Sequence, residues 1–72
     1  MTEQELKKRY PILRFFKYDH LPMNLQMMSR DFHAFAFHIA GTMNHNAEAS
    51  TALRKLLETK DAAVRAMLPE ET

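Results

Sequence analysis

The chain has no cysteine, a single glycine (Gly41) and only three prolines in 72 residues. The missing cysteines exclude a disulfide framework and any thiolate metal site. One glycine cannot build a loop that cradles phosphates, and neither Ser29 nor Ser50 stands in the Gly-bracketed elbow of a nucleophilic hydrolase. No apolar run reaches membrane-spanning length, because Arg30, Asp31 and His33 interrupt the richest stretch, so no membrane is expected as a partner. The opening residues Met1-Thr2-Glu3-Gln4-Glu5 contain no apolar signal-peptide core, and the expectation is a cytosolic protein. Alternation of strand type, internal repeats and low-complexity segments are all missing as well.

What is present is apolar and helical. Hydrophobic residues make up 46% of the chain, ample for a globular protein. A chain of this length is one domain at most and lies near the limit where a single copy hides enough apolar surface to fold alone. With disulfides excluded, self-association is the expected source of further burial. The net charge of +1 argues against a protein that wraps a nucleic-acid polymer. The charge is nonetheless uneven. Lys7, Lys8, Arg9, Arg14 and Lys17 fall within a stretch free of acids, while Glu70 and Glu71 lie at the far end.

Thr2 followed by Glu5 matches a capping box and predicts two turns of helix over residues 3–9, before Pro11. Residues 10–21 are aromatic without helical periodicity and read as an extended arm, giving an N-terminal arm of 1–21. Pro22 suits the first turn of a helix. Leu25, Met28, Phe32, Phe35 and Ile39 then recur at three- and four-residue spacing on one helix face, with Met27, Ala34 and Phe37 on another flank. That helix is expected over about 22–41. Its apolar girth exceeds what one partner helix covers, so the second flank is assigned to another subunit. Gly41 through Asn46 reads as the turn, with Asn44 and Asn46 as N-cap candidates. Leu53, Leu56, Ala63 and Met67, flanked by Leu57 and Val64, predict a second helix over about 47–68. The expected architecture is all-α: an antiparallel two-helix hairpin with an N-terminal arm or short helix, assembled as a homo-oligomer.

Few constellations carry chemistry. His20, His33, His38 and His45 are spread over the arm, a helix and the turn, and His33 and His38 are five apart, so no metal site is expected. Glu58 and Asp61 read as solvated helix residues. Arg54 and Glu58 make a modest i, i+4 surface pair. No enzyme and no cofactor are expected. The arm is more telling, because Arg14, Phe15, Phe16, Lys17 and Tyr18 interleave cations with rings, a mixture that suits nucleotides: rings stack on bases and cations neutralise phosphates. The plainer account packs Phe15 and Phe16 against the hairpin and leaves the cations in water. Met23, Met27 and Met28 fit either an adaptable groove or ordinary core.

Taken together, the Phe16-Lys17-Tyr18 arm, the first helix, the polar turn and the run from Glu48 through Ala52-Leu53-Arg54-Lys55-Leu56 to Ala62-Ala63-Val64-Arg65-Ala66-Met67 resemble the hairpin domain of phage cyclic-nucleotide sponges. These small proteins counter the CBASS and Thoeris defences, and the likeness spans roughly residues 15–68. It implies a helical homohexamer in the host bacterial cytoplasm. Such an assembly would bind cyclic di- or trinucleotides, or cyclic ADP-ribose-type ligands, between subunits without cleaving them. Residue by residue, the likeness assigns base stacking to Tyr18, beside Phe16. It leaves Arg30 and His33 as alternatives for the phosphate-contacting cation on the first helix. Arg54 falls where the family often has threonine near the oligomer centre, placing it against a ligand's phosphates. Asp61 and Ala62 depart from the family's usual methionine and tryptophan. The alternative function is a small helical protein-binding module or inhibitor that grips a host protein with the Met/Phe flank of its first helix. A DNA-binding helix pair is weaker, because the second helix has few cations facing one way.

Overall fold

The computed structural model describes residues 1–69, and Glu70 and Glu71 lie outside them. Every regular element among these residues is helical. Helix α1 spans Glu3–Arg9, a 3₁₀ helix Pro11–Phe16, α2 Met23–Thr42 and α3 Ala47–Ala66.

Side-chain caps explain where two of the helices begin. The Glu5 amide donates to Thr2 Oγ1 at 3.2 Å and the Thr2 amide donates to Glu5 Oε1 at 2.8 Å, a reciprocal box on two otherwise unpaired amides. Asn46 Oδ1 accepts from the Ala49 amide at 3.0 Å and opens α3. At α2 the Pro22 carbonyl accepts from the amides of Leu25 and Gln26, and no side chain caps this end. Gly41 lies inside the last turn of α2 instead of starting the break. The connection is therefore Met43–Asn46, shorter than the expected 41–46 turn. Leu6 packs close over Gly41, with its Cδ1 at 3.9 Å from where a β-carbon would stand.

The segment read as an extended arm is the largest departure from expectation. Pro11 fixes φ at the first position of a 3₁₀ helix, and its three-residue turn lets every third residue point inward. Tyr10, Leu13 and Phe16 are buried, Phe16 completely. With Leu6 of α1 they form one cluster with Ala36 and Ala40 of α2 and Ala49 and Leu53 of α3. The 3₁₀ helix touches α1, α2 and α3, and α2 packs against α3. Phe37, assigned from sequence to another subunit, packs half-buried against this cluster within the same chain.

Small residues make that convergence feasible. The buried positions of α2 are Leu25, Ser29, Ala36 and Ala40, whereas the apolar periodicity singled out larger neighbours. Of those, Met28, Phe32 and Ile39 are half-buried and Phe35 is exposed. Alanine at the contact lets backbones approach, and aromatic rings from the 3₁₀ helix fill the remaining volume. Met23, Met27 and Phe35 stay in solvent on α2, as do Met67 and Leu68 beyond α3.

Three outcomes follow from this packing. Phe16→Ala should cost about 3–5 kcal/mol in denaturant unfolding, the usual penalty for emptying an aromatic site in a core. Ser29 Oγ is buried without a hydrogen-bond partner in the structure. Ser29→Ala removes an unpaired polar atom and improves helix propensity, so it should raise stability by about 1 kcal/mol in the same assay. The third concerns pH. The Glu5 carboxyl is held below its ordinary value, first by the hydrogen bond from the Thr2 backbone and then by the Thr2 side chain. A depressed carboxyl stabilises the fold above its unfolded-state pKa and loses that effect as pH falls through its folded one. The protection of α1 amides, measured against the intrinsic exchange rate at each pH, should therefore fall as pH drops from the range where a free glutamate protonates through the lower range where Glu5 does.

Candidate functional site: a cationic cleft with an aromatic wall

Burying Leu13 and Phe16 turns the opposite side of the 3₁₀ helix, with Arg14, toward solvent. The chain leaves this helix extended at Lys17 (φ −58°, ψ 140°) and turns back at Tyr18, whose carbonyl accepts from the Leu21 amide at 3.0 Å. Gln26 Nε2 of α2 donates to the Leu21 carbonyl at 2.8 Å and ties that turn to the helix it precedes. The result is an open cleft of about 440 Å³ between α1, the 3₁₀ helix, the 17–19 loop and α2.

One wall is aromatic. Tyr18 meets the His33 ring edge-on, with centroids 5.3 Å apart, and His33 lies tilted over Phe37 at 4.5 Å. His33 and Phe37 are one helical turn apart on α2, the spacing that brings side chains into contact. Tyr18 and His33 line the cleft and are both half-buried. The other wall is charged: Lys7 comes from α1, Arg14 from the 3₁₀ helix and Lys17 from the loop, with Glu3 and Asp19 also on the lining. Lys17 Nζ lies 4.0 Å from Asp19 Oδ1, but both side chains are mainly in water, where such a pair contributes little. Arg14 lays its guanidinium over the exposed Phe15 ring at 4.8 Å.

A concave site of this volume, lined by two rings and by three cations against two carboxylates, can take a small ligand that has both a flat heterocycle and negative charge. No serine or cysteine lines the cleft. Among the described residues, no group of three or more His, Asp or Glu is placed to hold a metal ion.

The sequence-expected site residues separate into two groups. Tyr18 and His33 come together. Phe16 does not join them, because it is fully buried in the core beneath and has no surface to offer a ligand. Arg30, on α2, and Arg54, on α3, are exposed and do not line the cleft. Conversely, Lys7 is a cleft residue that neither the arm nor the resemblance pointed to, and Arg14 and Lys17, singled out in the arm as cations among rings, join it there. Their signal was the acid-free basic stretch; of its five cations these three face the cleft, and Lys8 and Arg9 do not. The cleft also lies within one chain, whereas the expected pocket lay between subunits.

Comparison of the chain with protein-family models, with characterised proteins and with solved structures finds no match.

Proposed function

We propose that this protein binds a cyclic nucleotide signal and withholds it without cleaving it. The ligand class is a cyclic di- or trinucleotide or a cyclic ADP-ribose-type molecule, and the setting is phage counter-defence in the host bacterial cytoplasm. The observation that carries this reading is the convergence of the Tyr18–His33 ring pair with Lys7, Arg14 and Lys17 on one cleft. A base stacks on Tyr18 while phosphates meet the cations.

In this reading α2 and α3 are the antiparallel hairpin of a homo-oligomer, with a hexamer expected from the family resemblance. Support for self-association is the solvent-facing apolar set on α2, Met23, Met27 and Phe35, which the chain does not cover itself. The same set favours the second reading, a helical module or inhibitor that docks this face on a host protein. The two readings part on which surface matters: Tyr18 and the cleft for the first, Met27 and Phe35 for the second.

A thermal-shift panel of cyclic di- and trinucleotides and cyclic ADP-ribose isomers tests the first reading. Ligand at about 100 times Kd adds about 2.7 kcal/mol, on the order of 10 °C for a domain this small. Tyr18→Ala should weaken binding about ten- to a hundredfold, the usual effect of losing one base-stacking ring. The ligand should be recovered intact by chromatography after release. A flat panel sinks the reading. An undiminished shift in Tyr18→Ala sinks the site, and a greater loss in Arg54→Ala would move the ligand to a pocket near α3.

A further inference from the structure

Lysine 60 occupies a position in α3 where the packing pattern calls for an apolar residue. Ala49, Leu53, Leu56, Lys60 and Ala63 follow one another at spacings of four, three, four and three, the register of a core-facing seam. Ala49 and Leu53 are buried and Leu56 packs against the core. The Lys60 side chain is only 11% exposed. An ammonium so placed is costly unless it finds a hydrogen-bond acceptor.

Its acceptor is the Phe15 carbonyl, at 2.8 Å and forty-five positions away in sequence. That carbonyl is among the last of the 3₁₀ helix, where carbonyl groups lack a partner within the helix and lysine side chains are suited to supply one. Asp61 Oδ1, 3.8 Å from the same ammonium, belongs to a half-exposed side chain and is a weaker companion. Directly beyond Phe15 and Phe16 come Lys17 and Tyr18. The segment that carries Tyr18 is thus held at both ends by side-chain donors: Lys60 of α3 at the Phe15 carbonyl, and Gln26 of α2 at the Leu21 carbonyl.

We infer that Lys60 is a positioning residue for the cleft: from α3 it fixes where the 3₁₀ helix ends and so where Tyr18 meets His33. Apolar cover alone does not require this residue, since methionine would bury the same stem without a charge to desolvate. The importance of this pin for ligand capture rests on the reading of the cleft given above. The pin itself is tested without ligand, so a loose Tyr18 and an unoccupied cleft are distinguishable results.

The experiment compares the native chain with Lys60→Met and Lys60→Arg by NMR and hydrogen exchange. In Lys60→Met the His33 ring resonances should move, because the Tyr18 ring current they sense is displaced. The Lys17 and Leu21 amides, which donate to the Arg14 and Tyr18 carbonyls, should exchange about tenfold faster, while Leu53 and other α3 amides keep their rates. Lys60→Arg, which retains a cationic donor, should restore most of both signals. A fall in melting temperature with unchanged His33 resonances and loop exchange would overturn the inference and leave Lys60 a packing residue only. Should Lys60→Met fail to fold, the native chain decides. Cross-peaks between the Lys60 ε-methylene and the Phe15 and Phe16 α-protons support the pin, and their absence overturns it.

Discussion

Burial of Leu13 and Phe16 against the alanine-lined faces of α2 and α3 is the contact on which the rest of the molecule depends. Alanines at 36, 40 and 49 leave room between the long helices, and the two bulky side chains of a six-residue 3₁₀ helix fill it. A close-packed interior of this kind tolerates neither a void nor an extra methylene without cost. The position of the 3₁₀ helix is therefore set by volume as much as by hydrogen bonds, and α1 follows through Leu6 and Tyr10.

That placement has a chemical consequence. A tight helix with one face in the core must show its other face to water, and here that face carries Arg14. The chain then emerges at Lys17 and Tyr18 beside His33. Core and cleft are two sides of one short element. A substitution that shifts the first is felt at the second, so Arg14, Lys17 and Tyr18 share a rigid base with the core, while His33 is carried by α2 itself.

Local signals of the sequence coincide with the helix starts. The Thr2–Glu5 box, Pro22 and Asn46 each stand at the N-terminus of a helix because each satisfies backbone groups, or fixes φ, through its own chemistry. Tyr18 was legible as a site candidate because an aromatic among cations is a compositional signal, whereas His33 was offered only by the family resemblance, as an alternative to Arg30. The 3₁₀ helix was not legible. Its period of three over six residues is too short to register, and a phenylalanine such as Phe16 looks the same in an arm and in a core. Phe16 was misplaced for that reason. The small buried residues Ser29, Ala36 and Ala40 were missed because apolar periodicity weights size, whereas the contact selects closeness. Lys7 and Arg14 needed α1 and the 3₁₀ helix to be folded onto α2 before they faced one cleft.

The same fold alters the argument for self-association. Two helices alone leave Phe37 and its neighbours uncovered, and a second copy is one way to cover them. The core of the same chain is another, and Phe37 packs half-buried against it in cis. What remains open is the opposite side of α2, where Met23 and Met27 lie one turn apart, with Phe35 further along. Scattered apolar residues are normal on a surface, so these three are a modest opening for a partner. Any need for a partner therefore rests on them. The cleft has its rings and cations from a single chain, and it lies on the His33 side of α2, away from those open residues.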